Sequence, residues 1–167
     1  MIAKVRDKNN YIARTGVLLA LALVFQIGFT GFAQPVVGPL VNMVLIMSVI
    51  KVGVTAGMMI GCLTPLVAFL VGIMGLFPVV PFIMMGNCLF VVLFHVMRKN
   101  KGRQWEYIAL GIAAIGKAGF LAFSIRYVVV FFVPQIPPPL IAALSLPQFY
   151  TSLVGGLMAI VVSRLFR

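Results

Sequence analysis

PFIMMGNCLFVVLFHVMRKNKGRQWEYIALGIAAIGKAGF, residues 81–120, decides what kind of chain this is. An apolar run ends at the basic cluster Arg98, Lys99, Lys101 and Arg103, and a second apolar run begins after Trp105. A hydrocarbon core asks for about 20 apolar residues per helix, so the segment reads as two membrane helices joined by a short basic connection. Inside the second run stands Lys117, with no carboxylate near it in sequence. A lysine at membrane depth costs on the order of 3 kcal/mol on insertion scales, and it normally has a partner or lines a wet cavity. The two acidic residues of the chain, Asp7 and Glu106, both lie in short polar stretches, so the charged partner of Lys117 is expected to come from outside the chain.

Composition agrees with a membrane protein. Hydrophobic residues make up 63% of the 167 and charged ones 9%, and the mean hydropathy is +1.19. That is too little polar surface to cover a soluble globule of this size. The net charge of +11 raises the question of nucleic acid. The basic residues are not gathered on one amphipathic face and carry no aromatic-basic recognition motif, so no nucleic-acid partner is expected. Cys62 and Cys88 fall within apolar runs without a neighbouring histidine or acid, which indicates neither a metal site nor a disulfide framework; both are expected to pack as small hydrophobes.

Working outward from 81–97 and the fifth span after Trp105, proline, glycine and charge divide the rest into spans at 11–30, 39–50 and 54–74, with a sixth from Pro147. Lys4, Arg6, Lys8 and Arg14 precede the first span, Lys51 closes the second, the 98–103 cluster separates the fourth from the fifth, and Arg164 and Arg167 end the sixth. The intervening connections, 31–38, 75–80 and 133–146, carry no charge. Because basic loops stay in the cytoplasm, this alternation predicts an all-α integral membrane protein, one domain over residues 1–167, with six transmembrane helices and both termini cytoplasmic. The second span reads as short for a perpendicular crossing. The outer stretches 34–39 and 134–139 read as stiff, donor-poor loops, since each proline fixes its own φ and restricts its neighbour; they suit either lids or plain turns.

With that orientation, the intramembrane amides fall on one side. Gln26, Asn42, Asn87 and Gln148, with Tyr150, belong to the outer halves of four spans, whereas the inner halves carry mainly hydroxyls (Thr55, Thr64, Ser163) that can bond back to their own helices. Amides on different helices at a similar depth suggest a pocket opening outward, though each alone can be a helix-helix hydrogen bond. Lys117 lies about 18 Å along its helix from Trp105, near the midplane, where it would floor such a pocket. At 100° per residue Phe120, Ser124 and, less closely, Tyr127 share its face, while Arg126 is nearly opposite and suits a snorkelling role. The candidate ligand-binding set is Lys117, Asn87, Asn42, Gln34, Ser124, Tyr127, Gln148 and Arg126. Its chemistry favours a small amphipathic molecule with an acidic or strongly accepting group.

No carboxylate pair, metal cluster or nucleophile-base arrangement exists at membrane depth, and no phosphate-binding Gly-Lys-Ser/Thr loop is present, so neither an enzyme nor a cofactor is expected. Energy for any active transport has to come from another protein. Small residues line two helices: Ala13, Gly16 and Ala20 on the first, and Gly53, Gly57 and Gly61 on the third. Such faces let another backbone approach closely, and one of the two is expected to pack internally while the other meets a partner.

Residues 13–22 (ARTGVLLALA), 81–87 (PFIMMGN) and the close of the chain from Leu146-Pro147-Gln148 through Gly155-Gly156 to Arg164 together resemble the substrate-binding S components of energy-coupling factor (ECF) transporters. The likeness extends over nearly the whole chain in length, span count and orientation. It implies a vitamin or micronutrient site on the extracellular side, under the loop after the first helix, in a prokaryotic cell membrane. It further implies an Ala-x-x-x-Ala face on the first helix docking on a transmembrane T component, two cytoplasmic ATPases bound to that component, and a toppling motion carrying the ligand inward. The docking motif falls on Gly16 and Ala20, a departure at its first position that keeps the face small. Two other classes stay open: a self-sufficient carrier or channel, which usually shows repeats, a coupling-ion carboxylate or a polar path through both leaflets, and a ligand-free accessory membrane subunit.

Overall fold

Apolar runs that must satisfy their own backbone hydrogen bonds in lipid have the α-helix as their simplest solution. The computed structural model describes residues 2–29, 34–99, 102, 104–133 and 135–165, without the side chains of 2–6, 34 and 35. All regular structure among the described residues is helical: α1 (Ile2–Gly28), α2 (Gln34–Lys51), α3 (Val54–Leu70), α4 (Val80–Arg98), α5 (Trp105–Phe123), α6 (Pro138–Ala143) and α7 (Leu146–Leu165). A 3₁₀ turn at Phe77–Val79 leads into α4, and α5 runs on through a π turn, Ser124–Val128, and a 3₁₀ turn, Val129–Phe131. Four stretches are long and apolar enough to cross a membrane, Asp7–Gly28, Phe77–Arg98, Trp105–Phe131 and Pro138–Leu165; Val36–Lys51 and Val54–Leu70 are shorter apolar helices.

Several boundaries differ from the sequence reading: α3 ends at Leu70 rather than at 74, and the connection 133–146 contains the short helix α6. α1 begins well before residue 11 and carries the basic N-terminal stretch within the helix, since lysine and arginine are good helix formers and need no lipid contact there. The stretch 34–39, read as a stiff loop, forms the first turns of α2, which has 18 residues with Pro39 inside it. Pro35 lies in the first turn, where no intrahelical N–H bond is required. Residues 30–33 of the same connection lie outside the described residues, as does Pro134 of the second proline-bearing loop.

Side-chain register fixes how the helices run. Gly57 of α3 faces Val91 of α4 and Gly61 faces Asn87, Gly86 of α4 faces Leu121 of α5 and Gly116 of α5 faces Leu93, so each of these pairs is antiparallel. α5 and α7 are antiparallel as well, with Gly156 against Leu110 and Arg164 Nη2 3.2 Å from Glu106 Oε2. α2 and α7 are parallel, Gly38 facing Thr151 and Asn42 facing Gly155. The first half of α1 lies beside the start of α3, where Tyr11 Oη and Thr55 Oγ1 share a 2.8 Å hydrogen bond. α1, α3 and α5 therefore run one way and α2, α4 and α7 the other. Arg14, Lys51, Arg98 and Arg164 all lie toward the same end.

Glycines set the closest approaches. At Gly155 a β-carbon would collide with the Pro39 carbonyl oxygen and stand 2.8 Å from both Asn42 Cβ and Met43 N, so α7 lies directly on the α2 backbone. Below this crossing the apolar core gathers Leu45, Ile46, Ile60, Phe90, Phe94, Leu110 and Ile160. A second apolar cluster, Val79, Ile125, Val129 and Leu144, closes the opposite end. α1 is the peripheral helix, with Ile12, Val17 and Val24 exposed.

Candidate functional site

The alternating helix directions bring the end of α1, the starts of α2, α4 and α7, and the α3–α4 turn to the end opposite the basic groups. Between them lies a cavity of about 470 Å³, within the usual range for small-molecule sites. Its polar wall consists of Gln26 of α1, Asn42 of α2, Thr64 of α3, Asn87 of α4, Lys117 of α5 and Gln148 of α7. The rest is apolar, with Val41, Leu76, Val79, Ile83 and Leu140 among the lining residues.

Lys117 is 3% exposed and does not lack a partner inside the chain. Its Nζ donates to Asn42 Oδ1 at 2.6 Å and stands 5.3 Å from the centre of the Phe90 ring. Asn42 in turn directs its Nδ2 to Thr151 Oγ1 at 3.4 Å. The sequence reading expected a partner from outside because it looked for a carboxylate; the structure supplies a neutral amide and an aromatic face. Both orient the amine, and neither supplies an opposite charge. Of the two acidic side chains, Glu106 pairs with Arg164 at the far end and Asp7 is exposed near the start of α1.

Other polar groups at the cavity donate to backbone carbonyl oxygens. Asn87 donates Nδ2 to Gly61 O at 2.9 Å, Gln148 donates Nε2 to Ala143 O at 3.3 Å, and Thr64 donates Oγ1 to Ile60 O at 2.9 Å. Gln26 Oε1 is buried without a hydrogen-bond partner among the described residues. A buried amide oxygen left unmatched costs about 1–3 kcal/mol, a cost that a ligand donor removes.

Of the expected set, Lys117, Asn42, Asn87 and Gln148 meet at this cavity, together with Gln26 of the same amide belt. Ser124 is buried but is not part of the lining, Arg126 is exposed, and Tyr127 is 62% exposed with its ring on Phe123 at 5.1 Å. The π turn that starts at Ser124 widens the helix, so a face extrapolated at 100° per residue goes out of phase beyond it. The side chain of Gln34 lies outside the described residues. Sequence reasoning missed the α3–α4 turn, where Ile73, Met74, Gly75 and Leu76 line the cavity; the available signal was an uncharged, apolar outer connection. Pro137, Leu140, Ala143 and Leu144, in and around α6, form the part of the wall contributed by the second proline-bearing connection.

The two small-residue faces part ways. Gly57 and Gly61 are packed between helices, whereas a β-carbon added at Gly16 would meet nothing within 4 Å. Ala13, Gly16 and Ala20 are all exposed on α1, and Ala13 lines a shallow groove with Arg14, Val17, Leu18, Lys51 and Val52.

No curated protein and no solved structure matches the chain. A family model described as "ECF transporter, substrate-specific component" matches residues 10–165, nearly the full length, and includes α2 to α7 and most of α1. The chain thus belongs to the family of substrate-specific components of ECF transporters, which are membrane transport subunits.

Proposed function

We propose that this protein is the substrate-capturing subunit of an ECF-type importer for a vitamin or related micronutrient in a prokaryotic cell membrane, and that it holds its ligand in the cavity walled by Lys117, Asn42, Asn87, Gln148 and Gln26. The observation that carries the proposal is the Lys117 amine at the cavity wall, oriented by one neutral amide. The amine has at least two N–H donors, and Asn42 takes one. A carboxylate or a strongly accepting carbonyl on the ligand completes the set. The apolar remainder of the wall suits an amphipathic molecule, with the Gln26 oxygen offering a place for one donor.

Six membrane crossings accommodate the alternating helix directions, with α6 lying over the cavity and both termini on the basic, cytoplasmic side. The cavity then opens outward, where a capture subunit meets its substrate. The exposed Ala13, Gly16 and Ala20 face of α1 is the docking surface for a T component, itself carrying two ATPases.

Purification from the native membrane, followed by mass spectrometry of the extract and of co-purifying proteins, tests the reading. A small molecule at a fixed molar ratio, together with ATPases, is expected. Intact protein that carries neither contradicts it.

A further inference from the structure

Cys62 of α3 and Cys88 of α4, the only cysteines of the chain, are 26 residues apart in sequence, yet their sulfurs are 3.4 Å apart. Both are free thiols and half-buried. The helices that carry them approach closely at the preceding residue of each: a β-carbon at Gly61 would stand 3.0 Å from Asn87 Cβ, and Asn87 Nδ2 donates to Gly61 O at 2.9 Å. Disulfides need Cα atoms about 4.4–6.8 Å apart, a separation that helices crossing at glycine reach more readily than helices spaced about 8–10 Å apart by larger side chains. Apart from Asn87, which lines the cavity, the joint holds no group already assigned to ligand binding.

We propose that Cys62 and Cys88 form a redox-responsive pair whose oxidation staples α3 to α4 at the wall of the cavity. The step joins the two sulfurs, breaks both S–H bonds, and passes two electrons and two protons to an acceptor. A lipid-soluble two-electron oxidant such as a quinone can serve in the membrane, and in the test diamide takes both hydrogens across its N=N bond. The staple constrains the joint through which Asn87 reaches the cavity, so oxidation links redox state to the geometry of the binding wall.

The test uses the full-length protein in detergent, oxidised with diamide, quenched, unfolded in dodecyl sulfate and labelled with a maleimide reagent. The expected result is a monomer whose mass is lower by two hydrogens, with neither thiol labelled until dithiothreitol is added. Cys62→Ser and Cys88→Ser each keep one thiol that labels after the same treatment. Thermal unfolding supplies a second readout: oxidation raises the midpoint of the wild type and leaves that of Cys62→Ser unchanged. Full labelling of the oxidised wild type, crosslinks formed only between molecules, or an unmoved midpoint overturns the proposal.

Discussion

Lys117 and Asn42 form a hydrogen-bonded pair, so removing either one alone leaves a buried polar atom unmatched. With Asn42→Leu the buried Lys117 amine loses its 2.6 Å hydrogen bond, which costs about 1–3 kcal/mol. Lys117→Met keeps the length of the side chain and removes the amine, but it leaves the Asn42 oxygen unmatched, so on its own it is expected to cost about 1–3 kcal/mol. Introduced into Asn42→Leu, it restores most of the lost thermal stability in detergent. A double-mutant cycle on unfolding midpoints checks this, and equal losses in the double mutant and in Asn42→Leu would show that the amide supports something other than the amine. At the other end, the Glu106–Arg164 contact is partly exposed, at 23% and 29%. Glu106→Gln is therefore expected to cost no more than about 1 kcal/mol.

At the scale of the helices, the α2–α7 crossing is the tightest constraint on the site, because Asn42 sits beside Gly155. Gly155→Ala forces a β-carbon into the Pro39 carbonyl oxygen, a backbone atom that cannot rotate away, and is expected to lower stability by about 1–3 kcal/mol. Gly16→Ala, on the open face of α1, leaves the unfolding midpoint within experimental scatter. Comparing the two midpoints tests whether the small-residue faces divide as described. The same elements show what the sequence could reveal. Hydropathy and charge located α3, α4, α5 and α7 to within a few residues but read α6 as part of a loop, and depth along each helix grouped Gln26, Asn42, Asn87 and Gln148 together. Rotation about the helix axes was not legible. The sequence does not say which amide turns toward Lys117, nor that Cys62 and Cys88 face each other, because both depend on interhelical register set by Gly61 and Gly155. Two local irregularities also escaped periodicity: α2 continues through Pro39, and the π turn swings Tyr127 outward.

At the scale of the whole molecule, polar chemistry is divided between two ends. Arg14, Lys51, Arg98 and Arg164 mark one end and the amide-lined cavity the other, with an apolar core of Phe90, Phe94, Leu110 and Ile160 between them. In the proposed topology, reporter fusions after Lys51 and at the C-terminus report from the cytoplasm, and fusions at Gly75 and Gln135 report from outside; one inverted signal would break the six-crossing scheme. Gly16→Leu should abolish co-purification of ATPases while the small-molecule content of the subunit stays at the wild-type ratio. The most direct measurement is the molar ratio of bound small molecule to protein, by mass spectrometry, in native-membrane preparations of wild type and Lys117→Met. Loss of a charged hydrogen bond worth about 1.5–3 kcal/mol predicts binding weakened roughly 10- to 100-fold, and hence a variant that is folded, still associated with its ATPases and largely free of ligand. A Lys117→Met protein that retains the wild-type ratio would contradict the assignment of this cavity and its amine to substrate capture.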